Sequence, residues 1–137
     1  MKINIAYLHD ILASMIDGSY LSGLTIDYYT SCVADYYDSF YGTLDKQTRE
    51  QFRAGLQMTL QYILNNPQLD YNGLFAEFAL HNLASQHEVE QVFLFIWSQF
   101  FGAEDWHDPQ LADPNLHTAL VEEAIWNSNG SLRAGVR

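Results

Sequence analysis

Basic residues are scarce in this chain. Its 137 residues include six Lys and Arg against 17 Asp and Glu, a formal net charge of −11. The few bases are also segregated. Lys46, Arg49 and Arg53 stand together, Lys2 is near the start, and Arg133 and Arg137 are near the end. From Ala54 to Leu132 there is no Lys or Arg, yet there are ten acids. Such a surface repels nucleic-acid phosphates and anionic lipid and draws basic partners inward. Direct nucleic-acid binding and membrane-surface binding are therefore not expected.

Other absences narrow the classes further. The single cysteine, Cys32, forbids an internal disulfide and suits a reducing, cytoplasmic setting. It sits among tyrosine and aspartate, which disfavour a thiolate, so it reads as a buried structural thiol rather than a nucleophile. His9 and Asp10 interrupt the apolar start, which makes a poor signal peptide. No apolar run approaches the length of a membrane span. Gly-x-x-x-x-Gly-Lys, Gly-x-Gly-x-x-Gly and Gly-x-Ser-x-Gly are all missing, so neither a phosphate cradle nor a nucleophile elbow is expected. His9-Asp10 alone is a pair that chance supplies often.

Metal chemistry finds little support. Glu77 and His81 are four residues apart and share a helix face, but a di-iron bundle needs two Glu-x-x-His motifs on helices and two further glutamates. The one such spacing, Glu104-Asp105-Trp106-His107, lies in a segment read as a loop. No cofactor and no metal are expected. The adjacent carboxylates Glu122-Glu123 and Glu104-Asp105 do not face each other as an acid–base couple would.

What is present is helical periodicity and aromatic weight. Apolar residues make up 48% and aromatics 15% of the chain, far too much for disorder. Ile5, Leu8, Leu12, Met15 and Ile16 recur at helical spacing over 4–16, while Ile3, Ile5 and Tyr7 alternate and allow a short strand at the start. Ile26, Tyr29, Val33, Tyr36 and Phe40 mark a second helix closed by Gly42. A third is capped by Asp45 or by a Thr48-Arg49-Glu50-Gln51 capping box. It carries Phe52, Leu56, Leu60 and Ile63, and stops at Asn65-Asn66-Pro67. A fourth spans about 71–84 and is apolar on most sides. The fifth follows a Ser85-Gln86-His87-Glu88 box, buries Val89, Val92, Phe93, Ile96, Trp97 and Phe100, and ends at Gly102. Asp113-Pro114 opens a sixth, running to about Asn127 and burying Leu116, Leu120, Val121, Ala124 and Ile125. The expected fold is all-α, a compact single-domain bundle of five to six helices over residues 1–130, with a mobile tail over 131–137.

The stretch Asp27–Gly42 is the most distinctive. It holds two Asp-Tyr-Tyr triplets, five tyrosines and three aspartates, with no base. On a helix, Asp27, Ser31, Ala34 and Asp38 fall on the side opposite Tyr29, Val33, Tyr36 and Phe40. Asp35, Tyr28 and Tyr37 lie at the margins, so the helix shows water an acidic ridge edged with rings. Tyrosine gives large contact area at modest entropic cost, and carboxylates pair with Arg and Lys. The loop Glu104, Asp105, Trp106, His107 and Asp108 repeats that chemistry, and Trp126 beside Glu122 and Glu123 does so again. Tyr29 and Tyr36 are expected in the core. Tyr28, Tyr37 and Trp106 suit core or interface alike.

A small, acidic chain without catalytic motifs is expected to work by binding a basic protein, such as a toxin or nuclease domain. Two forms fit. One is a bacterial immunity protein or antitoxin that blocks a toxin nuclease by charge complementarity. The other is a phage-type nucleic-acid mimic directed at a nuclease effector complex. A helical metalloprotein built on Glu77 and His81 is the alternative of a different class. A secretion-type chaperone fits less well, because those are usually dimeric with mixed α/β folds.

Overall fold

The computed structural model describes residues 3–14, 26–75, 86–112, 120–127 and 131–132. Within them the chain is mostly helical. The elements are β1 (Ile3–Asn4), α1 (Ala6–Ala13), α2 (Ile26–Ser39), α3 (Lys46–Leu64), the single turn α4 (Tyr71–Leu74), α5 (Gln86–Phe101) and β2 (Leu120–Val121). Short 3-10 turns cover Tyr41–Thr43 and Pro109–Ala112.

Each long helix begins and ends for a local reason. Asp45 caps α3, its carboxylate accepting from the Thr48 amide at 2.9 Å and from the Thr48 hydroxyl at 2.9 Å. Those two bonds hold the Asp45 carboxyl below the usual carboxylate range. Thr48 is thus the partner of the cap, not the cap. Asn65 ends α3, and Pro67 follows. Gly102 ends α5 at φ +62, a left-handed conformation that glycine adopts without steric cost. Helix α2 stops at Ser39 rather than at Gly42. The Phe40 carbonyl accepts from both the Thr43 amide and the Thr43 hydroxyl, which tightens the chain into a 3-10 turn.

The core lies where α5 packs against both α2 and α3, with α1 on α3. Leu8, Ile11 and Leu12 of α1, Tyr29 and Val33 of α2, Phe52, Leu56 and Leu60 of α3, and Val92, Phe93 and Ile96 of α5 are all fully buried. Tyr29 and Tyr36 belong to this core, as their spacing predicts. Cys32 is a free thiol, half-buried against the same cluster rather than wholly inside it.

The C-terminal part differs from the periodic reading. Residues 120–127 are not helical: β2 pairs in parallel with β1, Ile3 opposite Leu120 and Asn4 opposite Val121. The alternation at the start of the chain does mark a strand, and this is its partner. Asn4 explains the change. Its Nδ2 donates to the Glu123 carbonyl at 2.9 Å and its Oδ1 accepts from the Glu123 amide at 3.1 Å. Ile5 N donates to the Val121 carbonyl at 3.0 Å. The backbone groups that a helix would use are thereby engaged across the molecule. Leu132, in the segment read as a tail, bridges back to Trp126.

The described residues therefore hold four helices of eight residues or more, one single turn and a two-stranded parallel sheet, so five to six helices overstates the count. The remainder of the expected fourth helix, 76–84, and the start of the expected sixth, 113–119, lie outside the described residues. No described helix is long and apolar enough to cross a membrane.

Candidate interaction surface

The acidic ridge forms as the helical spacing requires. Asp27, Ser31, Asp35 and Asp38 are exposed, and Ala34 is half-exposed between them. Tyr28 and Tyr37 are half-buried at the margins. Tyr28 stands edge-on to Tyr29 at 5.5 Å, and Tyr37 stands edge-on to Phe100 at 5.1 Å. Each ring thus rests on the core and leaves part of its surface to solvent.

Charge pairing divides the nine expected contact residues into two groups. Among the described residues, Asp27, Asp35 and Asp38 make no ion pair. The acids of the 104–108 loop are engaged locally. Glu104 receives the Arg53 guanidinium at 2.7 Å, and that guanidinium also lies 4.7 Å over the Phe101 ring. Asp105 accepts from the His107 amide and bonds the His107 ring at 2.6 Å, contacts that hold its carboxyl below the usual range. Asp108 accepts from the Gln110 amide at 3.1 Å. Trp106 is half-buried and stacks on the His107 ring at 3.8 Å.

The loop is also fixed from beneath. Asn65 Nδ2 donates to the Trp106 carbonyl at 2.9 Å, and Asn65 Oδ1 accepts from the Asp108 amide at 3.0 Å. Buried Asn66 donates to the Leu111 carbonyl at 2.7 Å, and Trp97 Nε1 to the Glu104 carbonyl at 2.7 Å. The Asn65-Asn66 pair, legible in the sequence only as a helix stop, therefore also anchors this loop.

Ring contacts join the two groups. Tyr37 touches Phe100, Phe100 lies 6.3 Å from Phe101, and Phe101 carries the Arg53 that pairs with Glu104. The ridge is not wholly isolated from positive charge either. Arg49 and Arg53 act electrostatically on Tyr41, which packs on Tyr37 at 5.2 Å. The base cluster of α3 thus borders the far end of the ridge, a juxtaposition that the linear separation concealed.

Two further features escaped the sequence reading. Phe40 is 38% exposed despite its place in the apolar stripe, and stands edge-on to Trp126 at 5.7 Å. This brings the third acid-and-ring segment, Glu122, Glu123 and Trp126, to the end of α2. Asp10 is the hub beneath them: its Oδ2 accepts from the Tyr36 hydroxyl and its Oδ1 from Trp126 Nε1 at 3.0 Å.

No protein-family model, curated protein or solved structure matches this chain. The functional reading rests on its own residues. Among the described ones, no three His, Cys, Asp or Glu side chains gather as metal ligands; Glu77 and His81 lie outside them.

The packing of the tyrosines fixes the alkaline behaviour. Burial, then the nearby Asp10 carboxylate, raises the Tyr36 hydroxyl far above its ordinary range. Burial and Glu90 push Tyr71 up to about 12, and burial raises Tyr41. An unfolded tyrosine ionises near pH 10. Above that value the unfolded chain releases protons that the folded chain retains. These hydroxyls thus contribute stability that is complete below about pH 10 and is lost as pH rises toward the folded values. In an alkaline titration, tyrosinate absorbance should appear partly in a late, cooperative step coincident with loss of helical circular dichroism. Smooth ionisation of every tyrosine near pH 10 with the helices intact would contradict this.

Proposed function

We propose that this chain is an acidic binding protein that neutralises a basic protein, acting as a bacterial immunity protein or antitoxin against a toxin nuclease. The observation that carries the reading is that Asp27, Asp35 and Asp38, on one exposed helix flank, make no ion pair among the described residues. Asp38 is the most telling. It stands in the last turn of α2, which contains no basic residue. The helix dipole disfavours an acid at that end. A residue that works against local stability and makes no ion pair among the described residues suits a role outside the molecule.

The half-buried tyrosines add to this. Tyr28 and Tyr37 are held by the core on one side, so binding immobilises little that is not already fixed. A Lys- and Arg-lined cleft evolved for phosphate would meet carboxylates at the spacing of helix turns. Attraction between the opposed fields would speed capture, and salt would slow it.

The test uses a basic nuclease encoded beside this chain's gene, with association followed by stopped flow over a range of salt. The double variant Asp35→Lys, Asp38→Lys should lower the low-salt association rate by about ten-fold or more. Its melting temperature should stay close to that of the parent, because both positions are exposed and make no ion pair among the described residues. An unchanged rate would refute the assignment of the ridge. A large loss of stability would show that the ridge is structural.

A further inference from the structure

The end of α2 and the start of α3 each carry the charge that their own helix dipole disfavours. Asp38 stands in the last turn of α2, which holds no base, and Asp35 lies one turn before it. Lys46 opens α3 and Arg49 follows one turn later, and the first turn of that helix holds no acid. The C-terminal end of a helix favours cations and the N-terminal end favours anions. The one carboxylate at the start of α3 is its cap, Asp45, which is committed to Thr48.

Asp35, Asp38, Lys46 and Arg49 make no ion pair among the described residues. Asp35, Asp38 and Lys46 are exposed, and Arg49 is half-exposed. Arg53, the third base of the cluster, is already engaged by Glu104 and the Phe101 ring. The two sets of charges are neighbours in space. Tyr37, beside Asp38, packs on Tyr41 at 5.2 Å, and the Tyr41 hydroxyl faces the Arg49 carbonyl at 3.5 Å. Glu50, also exposed, acts on Tyr41 beside Arg49. The connection between the helices leaves Phe40, Gly42 and Thr43 exposed, so the patch is open to a flat partner. An acidic strip beside a basic strip is what a two-fold interface requires, because one patch must there complement itself.

We propose that this patch is a self-association surface, on which a second copy of the chain docks about a two-fold axis, with Asp35 and Asp38 of each copy against Lys46 and Arg49 of the other. Each helix end then receives from the other copy the sign of charge it lacks. The bases of one copy meet the negative end of α2, and the acids meet the positive end of α3. The net charge of −11 on each copy opposes the pairing. At physiological salt that repulsion is screened beyond about 8 Å, whereas the contact pairs stand closer than this. The patch comprises two helix ends and the turn between them, so the pair is weak and concentration-dependent rather than obligate. A docked copy covers Asp35 and Asp38 and so excludes a basic partner from them. The self-association itself stands whether or not the ridge binds a basic protein.

The test is sedimentation equilibrium of the full chain at about 0.15 M salt. The mass should rise with protein concentration from 15.7 kDa toward twice that value. The double variant Asp35→Lys, Asp38→Lys makes the patch basic throughout, and Lys46→Glu, Arg49→Glu makes it acidic. Each should weaken self-association by about ten-fold or more, because like charges then face each other. Mixed in equal amounts, the two variants should pair with one another, since every contact again joins opposite charges. Both should keep the helical circular dichroism of the parent, because bases suit the end of α2 and acids the start of α3. A parent that stays at 15.7 kDa over the whole concentration range would overturn the proposal, as would a mixture no more associated than its components. Neither readout involves a nuclease, so the ridge's capture of a basic protein and this pairing can fail separately.

Discussion

Replacing Phe93 with alanine is expected to destabilise the protein by about 3–5 kcal/mol, the cost of removing a buried phenyl group and leaving a cavity. Phe93 is fully buried on α5. Its ring meets Tyr71 edge-on at 5.2 Å and Phe75 at 5.3 Å. Both partners are stiff aromatics on the short segment around α4, and neither can collapse into the void without dragging backbone. The loss therefore combines transferred apolar area, two edge-to-face contacts and the hole itself. Urea denaturation should show a lower midpoint with an unchanged slope, and the melting temperature should fall by more than about 10 °C. A loss below about 1 kcal/mol would mean that Phe93 does not fill the centre of this core.

Asp10→Ala should rank next, at about 3 kcal/mol, because it leaves two partly buried donors without an acceptor. The Tyr36 hydroxyl and the Trp126 indole converge on separate oxygens of this one carboxylate. Tyr36 comes from α2 and Trp126 from the C-terminal segment, so the carboxylate of α1 holds three parts of the chain together. Asp10→Asn distinguishes hydrogen bonding from mere volume. It keeps the shape but offers one acceptor and turns an amide donor toward a donor, so it should recover only part of the loss. Thermal unfolding of the two variants beside the parent decides the matter. Full recovery by asparagine would show that the second oxygen contributes nothing.

The helices that position the ridge were legible because each had both a period and local punctuation. On α3, Phe52, Leu56, Leu60 and Ile63 repeat at helical spacing, Asp45 starts the helix and Asn65 ends it. On α2, one offset rule separated buried Tyr29 and Tyr36 from exposed Asp27 and Asp38. The segment 120–127 was misread because Leu116, Leu120, Val121 and Ile125 imitate the same period. What overrode it was Asn4, more than a hundred residues away in the chain, whose amide matches the Glu123 backbone on both sides. Periodicity carries no record of such a partner.

The candidate surface was legible by composition and not by pairing. Six acids were named across two segments, and in sequence they look alike. In three dimensions Arg53 reaches Glu104 and His107 bonds Asp105, while Asp27, Asp35 and Asp38 are exposed and make no ion pair among the described residues. Gly55 makes the same point inside the core. Helix propensity alone would favour alanine there, yet a Cβ would overlap the ring of buried Tyr7 where α1 crosses α3.

The sequence by itself determined the sign and uneven distribution of charge, the helical period and the chemistry of the acid-and-tyrosine flank, because these depend on residue identity and on neighbours within a turn or two. Only the tertiary structure decided which carboxylates are neutralised, which asparagines fasten distant backbone, and that Leu120–Val121 form a strand against the start of the chain. Those outcomes depend on which groups meet across long chain separations, where a single well-placed donor or ring outweighs local preference.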